Sequence, residues 1–499
     1  MKIIPTTLRA AAAALVLAVA GCAVGPDGPP RATVPLSPTN EPATTKLAVD
    51  TPDKWWTLYS DDALNDAVEE ALTHNRDLRV AAANLLAAMA MQDEVDDRGR
   101  LHAATGAWAG HGNATSGQPE AAMADAGEGH TGSRVGASLD VGWELDLFGR
   151  LRHLADAARE DTQSAAAARD GVRILVAADT TRAWLQACST ASRLAIQQHS
   201  IRLLEDGLAL AHRLRDTGAG SALDVARARA LIAETRADAA NLAAARRQAL
   251  ARLAVLMGRV PEDAPAQART CEAPPALSGA MLANDPVAML RRRPDLREAE
   301  HELAAATARL GVARAELYPR IALGGGITHA VLDVGRGGES RSTVWSLGPL
   351  LSWSFPDMTA ARARIAQAGA HESAALARFD GAILRALGEL RQSLIAYDAA
   401  SRRVADLTQA ERQSDEALRL ATLGRQAGET SALEYLDAQR QDVATQARLA
   451  GARAALIDAQ VQVFKAAGGG WREAPAVALA VPDRVAAAGP SIGKGEIGQ

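Results

Sequence analysis

Glu144 and Asp146 stand two apart in a segment of alternating polarity. Both carboxylates therefore face one side of a strand, the placement an acid and base pair would use. No nucleophile or pocket-forming companion accompanies them, and an acidic stripe along the inner face of a barrel accounts for both. The histidines His102, His111, His130 and His153 are not spaced as a set of metal ligands. Neither Gly324-Gly325-Gly326 nor Gly218 opens the Gly to Gly-Lys-Ser/Thr spacing that cradles phosphate. The chain reads as no enzyme, with no cofactor and no metal, so the energy for its work must come from a partner.

The cysteines carry a different chemistry. Lys2 and Arg9, an apolar run from Ala10 to Ala20, and Val19-Ala20-Gly21-Cys22 resemble a lipoprotein signal peptide, too short in its apolar part to stay as a membrane span. That resemblance implies cleavage before Cys22 and a lipid on its sulfur. Ala23, where inner-membrane retention would want Asp, directs the chain to the outer membrane. Cys188 falls in a helical pattern and Cys271 in a Pro-rich connection. An oxidising periplasm leaves a disulfide between them open, but their spacing does not argue for one. Both read as bystanders, one in a core and one in a loop.

The elements that hold these residues follow from composition. Of 499 residues 48% are hydrophobic and only 3% aromatic, so the core must be built from Ala, Leu and Val, which favours helices in close contact. A net charge of -5 with mixed signs provides no concentrated basic face and excludes a nucleic-acid partner. The chain also repeats itself. Asn75-Arg76-Asp77-Leu78-Arg79 and Arg293-Pro294-Asp295-Leu296-Arg297 open corresponding helical runs. Strands end near Trp143 and Trp353, and Gly218-Ala219-Gly220-Ser221-Ala222-Leu223-Asp224 matches Gly428-Glu429-Thr430-Ser431-Ala432-Leu433-Glu434, both landmarks 210 apart. Proline is absent from Leu151 to Arg215 and from Ala360 to Gln426, which predicts helices of roughly 100 Å each. Apolar residues at heptad-compatible spacing, such as Leu436, Val443, Ala450, Ile457 and Phe464, give these helices a seam that wants a partner.

From Val135 to Phe148 apolar residues alternate with Gly, Ser and acidic ones, and Thr343 to Phe355 repeats the pattern. This is the signature of lipid-facing barrel strands, with hairpin partners at about Ala103 to Gly112 and Arg320 to Val331. Trp108, Trp143, Trp345 and Trp353 fall in these strands and are expected at a membrane-interface girdle. Lipid tolerates no open sheet edge, and the smallest membrane barrels have about eight strands. Four strands must therefore be completed by sister chains, two copies giving a minimal barrel and three a twelve-stranded one.

These residues resemble the TolC family of outer-membrane efflux proteins, and most its OprM-type, NodT-like lipoprotein branch. The matching stretches are Trp55-Trp56-Thr57-Leu58-Tyr59, Trp143-Glu144-Leu145-Asp146-Leu147-Phe148-Gly149-Arg150, Arg292-Arg293-Pro294-Asp295-Leu296-Arg297, Leu317-Tyr318-Pro319, Leu436-Asp437-Ala438-Gln439-Arg440 and Gly468-Gly469-Gly470-Trp471. The resemblance implies a mostly α protein with a membrane β-barrel: a homotrimer with four strands per chain, a twelve-stranded barrel and a continuous α-helical tunnel closed at its periplasmic tip. It also implies a periplasmic adaptor docking on helix tips at Gly218, Ser221, Leu223, Gly428 and Ser431, and an inner-membrane transporter of RND type. A periplasmic gate maps onto Leu433, Asp437 and Arg440, which step by four and three along one helix face. Two places depart from the family. Arg425 follows Gly424 where relatives carry an aromatic residue, and Phe355-Pro356-Asp357-Met358-Thr359-Ala360 replaces the usual glycine-rich link after the last strand.

The chain is thus laid out as a signal peptide (1–21), an extended anchor segment (22–60), a first repeat (61–259), a linker (260–285), a second repeat (286–470) and a structureless tail (471–499). In the first repeat the hairpin is expected at 103–148 and the long helices at 150–216 and 221–258. In the second they are expected at 320–355, 358–426 and 430–467. The function expected is a passive exit duct in the outer membrane of a Gram-negative bacterium, serving a tripartite drug-efflux pump. The rivals are the same duct in type I protein secretion and a lipid-anchored periplasmic coiled-coil scaffold.

Overall fold

Two acidic capping boxes fix the starts of two 35-residue helices. In a computed structural model describing residues 28–33, 52–113, 131–278, 292–333 and 339–477, Ser221 accepts from the Asp224 amide while Asp224 accepts from the Ser221 amide. Ser431 and Glu434 do the same. Each box satisfies otherwise orphaned amides at a helix start. The described helices are α1 (Asp62–His74), α2 (Arg76–Asp97), α3 (Arg150–Asp216), α4 (Ala222–Leu256), the short α5 (Ala266–Thr270), α6 (Pro294–Ala315), α7 (Thr359–Ala427) and α8 (Ala432–Ala466). The strands are β1 (His102–Asn113), β2 (Thr131–Leu145), β3 (Arg320–Asp333) and β4 (Glu339–Ser352). The signal peptide and Cys22 lie outside the described residues. No described helix is long and apolar enough to cross a membrane.

The chain divides into two compact units. Among the described residues, the first is built on 28–33, Leu86–Ser164 and Ala299–Asp380, the second on 52–85, Ala165–Glu298 and Gly381 onward. In the first unit the strands form one antiparallel sheet in the order β1-β2-β3-β4. Its helical part is closed by Leu303, Ala306 and Ala375 and by polar ties. The Thr162 hydroxyl donates to the Ala88 carbonyl at 3.2 Å, His301 Nδ1 meets Glu160 at 2.7 Å, and the Thr307 hydroxyl donates to Glu372 at 2.9 Å. Gly311 is required for space, since a Cβ there would lie 2.7 Å from the His153 ring.

The second unit is centred on a cluster of buried aromatics. Trp55, Trp56 and Tyr59 form a 3-10 turn and are buried with Leu64, Trp184 and Phe464, and Trp55 stacks on Phe464 with centroids 4.7 Å apart. The extended segment expected to residue 60 is thereby corrected: its last residues are a buried turn, because three large rings there must leave water. The structureless tail is corrected over Trp471 to Val477. The Trp471 indole donates to the Arg292 carbonyl at 3.0 Å, the Gly470 and Glu473 amides donate to Asp53, and Ala474 and Val477 pack on the core. A third correction concerns Cys188 and Cys271, which form a disulfide closing a separation of 83 residues. Sequence spacing carried no sign of it, because the pairing is set by how the segment after α5 returns to α3.

Candidate functional site

Strand register assigns every side chain of the sheet to a face, because antiparallel partners share a side and neighbours alternate. Leu139 pairs Ile327, Trp143 pairs Leu323, Ile327 pairs Trp345 and Gly325 pairs Leu347. These residues thus form one apolar face, and it is open: Trp345 is 74% and Leu347 70% exposed. The opposite face is small and polar, with Ser138 against Thr328 and Asp140 against Gly326. Trp108 pairs Gly136 and so lies on this second face, away from Trp143 and Trp345. Its expected place with the outward aromatics is corrected. One residue of register decides the side, and the weak alternation of the glycine-rich β1 did not reveal it.

At the foot of the sheet the motif residues are spent on strand-to-helix joints. Glu144 takes two bonds from Arg150, at 2.9 and 2.7 Å. Asp146 accepts the Leu151 and Arg152 amides at 3.0 and 2.8 Å, capping α3. β2 ends at Leu145 for that reason, and the expected shared acidic stripe is replaced by a salt bridge and a helix cap. The Trp143 indole donates to the Gly99 carbonyl and the Trp353 indole to the Leu317 carbonyl, both at 3.1 Å, so the two repeats tie down the same end of the sheet alike. At the departure after β4, Asp357 accepts the Thr359 amide at 3.0 Å and starts α7.

In the second unit the helix tips carry the remaining candidates. Gly218 and Gly428 take φ of +74° and +81°, the left-handed conformation that ends a helix at low cost only for glycine. The Ala219 and Gly220 amides return to the Leu214 carbonyl, and those of Glu429 and Thr430 to Gly424. Hydrogen bonds from the serines hold the Asp224 and Glu434 carboxyls below the usual range. Leu223 and Leu433, equivalent in the repeat, are both exposed. The gate candidates lie together on α8: Arg440 forms an ion pair with Asp437 within the same chain, and both side chains are exposed. Arg425, the departure from the family pattern, stacks its guanidinium over the Tyr435 ring at 4.9 Å. A groove of about 960 Å³ beside these residues is lined by Leu204, Gly207, Arg227, Leu231, Leu433 and Asp437.

Sequence reading missed a buried polar couple behind the gate. Asp442 accepts from the Ser414 hydroxyl at 3.0 Å and from the Gln446 amide at 2.8 Å, and both Asp442 and Ser414 are buried. Burial pushes the Asp442 carboxyl above its usual range. Comparison of the repeat at these positions could have found it, since their first-repeat equivalents are Leu204 and Ile232. Among the described residues no three His, Cys, Asp or Glu side chains converge to hold a metal ion.

The family whose profile is described as "Outer membrane efflux protein" matches residues 67–259 and 286–469. Outer membrane protein OprJ of Pseudomonas aeruginosa is 33% identical over 435 residues, covering 85% of this chain and 88% of OprJ. Antibiotic efflux pump outer membrane protein ArpC of Pseudomonas putida is 30% identical over 463 residues, covering 91% and 93%. The solved outer-membrane channel OprN superposes with a TM-score of 0.79 at 32% identity, covering 90% of this chain and all of that one. The chain belongs to the outer membrane efflux protein family. Its fold is that of the TolC-type channels, barrel strands joined to long tunnel helices, and it serves as an outer-membrane exit duct for efflux.

Proposed function

We propose that three copies of this chain, each lipid-anchored through Cys22, form the exit duct of a tripartite pump carrying small organic molecules from a periplasmic adaptor and an RND-type transporter to the exterior. The observation that carries the reading is the open apolar face of a four-stranded sheet whose edges, β1 and β4, have no partner strand among the described residues. In lipid those edges need sister subunits, and three sheets give twelve strands around a solvent-filled bore. The duct has no reaction of its own to catalyse and conducts passively. Small-molecule cargo is favoured over secreted protein because ArpC, similar over nearly the whole chain, bears the name of an antibiotic efflux pump.

Leu433, Asp437 and Arg440 close the periplasmic end. An exposed Asp to Arg pair contributes only about 0–1 kcal/mol in water, so it holds a closed ring weakly and yields when a docking partner offers competing charges. Leu433 supplies the apolar plug. The adaptor docks on the tips around Gly218, Ser221, Leu223, Gly428 and Ser431. The test is conductance of the purified protein in planar bilayers, wild type against Asp437→Ala with Arg440→Ala. The double variant should carry several-fold more current at the same trimer density; equal currents would remove these residues from the gate.

A further inference from the structure

The small-residue face of the sheet carries a feature that gating and membrane insertion leave unused. Over the stretch where β2 runs from Gly136 to Gly142, the positions on this face across all four strands are glycine, alanine, serine, threonine or valine, with three exceptions. His102 stands opposite Gly142 with its ring 3.9 Å from Asp97; the other two are Trp108 and Asp140. Neither protrudes by accident of a crowded wall. The Trp108 ring lies over buried Gly136, where a Cβ would come within 2.8 Å of the indole carbons Cε2 and Cη2. Asp140 reaches across Gly326, where a Cβ would lie 2.6 Å from Oδ1. Glycine beneath each side chain lets it lie against the neighbouring strand with one side presented to the interior. The Trp108 N–H and the Asp140 carboxylate have no hydrogen-bond or ion-pair partner among the described residues, whereas the nearby Glu144 is consumed by Arg150.

We propose that Trp108 and Asp140 form a cargo-contact station on the inner wall of the barrel for elongated amphiphilic cations. The inference rests on the duct reading, which turns this face to the lumen. Trp108 is level with Gly136 and Ala104 with Asp140, so the two groups stand four residues apart, about 13 Å along the strand. A cationic head then meets the carboxylate while an apolar or aromatic body lies on the indole face, the side chain best suited to both apolar contact and cation–π attraction. An anion of the same shape finds the indole but is repelled by Asp140. The contacts are few and open to water, as a conducting path requires, so they select by charge without trapping.

The experiment uses the full lipoprotein in planar bilayers, with decyltrimethylammonium and decanesulfonate as probes of equal chain and opposite charge. The cation should reduce the wild-type current at concentrations where the sulfonate does not. Trp108→Ala and Asp140→Asn should each weaken that block by about five- to tenfold. Trp108→Phe, which keeps a ring over Gly136, should retain most of it, and Thr328→Ser on the same wall all of it. Recovery of the SDS-resistant trimer verifies assembly of each variant, and Asp140→Asn should also lower the cation-to-anion permeability ratio. Equal block in wild type and both variants, or equal block by both probes, would overturn the station while leaving the duct intact. A wild-type protein that carries no current would overturn the duct reading and the station with it.

Discussion

The two helix tips of the second unit are copies that kept their turn and changed their seam. Each ends its long helix on a left-handed glycine and opens the next with a serine box. Even the close approach inside the turn is conserved by exchange. Gly220 lies against Leu214 in the first tip, whereas in the second Gly424 makes room for Thr430, the same two positions with the glycine on the other side. Behind the turns the copies part. The first hairpin buries Leu204 and Ile232 where the second buries Ser414 and Asp442. The first is tied by the Cys188 disulfide, and the residue equivalent to Cys188 in the second is Asp398. Arg227 and Ala230 stand where the gate candidates Asp437 and Arg440 stand in the second. One hairpin is stapled and dry; the other is joined by polar groups that water can replace, which suits it to move.

Removing the staple, with Cys188→Ser and Cys271→Ser, should cost about 4.5 kcal/mol on a chain-entropy basis for a loop of this size. Hydrogen exchange should accelerate in α3 and the segment after α5 while α8 keeps its rates. Next, Ser414→Leu with Asp442→Ile gives the second hairpin the seam of the first, and should stabilise it by about 2 kcal/mol. The same change should lower the open probability of the Asp437→Ala, Arg440→Ala channel; unchanged gating would show that the seam is not what moves.

Acid should act on the second hairpin alone at the seam and on both hairpins alike at the tips. Asp442 is held above its usual range by burial, so the folded state takes up its proton before the unfolded chain does and the seam tightens as pH falls through the folded value. Leu204 and Ile232 do not titrate, and the first hairpin should show no such change. Asp224 and Glu434 are held below their usual range, so their caps are intact above that range and are lost as pH falls through the folded values. Exchange measured across these pH values separates the effects, and slowing confined to α7 and α8 is the expected sign. The smallest effect is at the caps themselves: Ser221→Ala and Ser431→Ala should each cost about 1 kcal/mol, equally and locally.

Where the sequence was legible, the reason was periodicity. Alternation in β2 and β4 announced membrane strands, proline-free heptads announced long helices, and a 210-residue offset announced the duplication, since each is a local pattern repeated many times. β1 was harder, because His102 to Asn113 is mostly Gly and Ala and its single large residue gave no phase. The gate candidates Leu433, Asp437 and Arg440 came from the family resemblance, and spacing added only that they share one helix face. Their polar backing was not legible, since Ser414 and Asp442 lie 28 residues apart on different helices and meet only when the hairpin closes.

The sequence alone determined the kind of object: strands that need sister chains, helices that need partners, and turns fixed by glycine and serine. Tertiary structure decided which side chains meet across elements. It paired Cys188 with Cys271, turned Glu144 and Asp146 from an acidic stripe into a salt bridge and a cap, and set Trp108 on the inner face with Asp140. The physical reason is that faces, caps and turns arise from the geometry of a single element, whereas register and chain return depend on how distant segments pack.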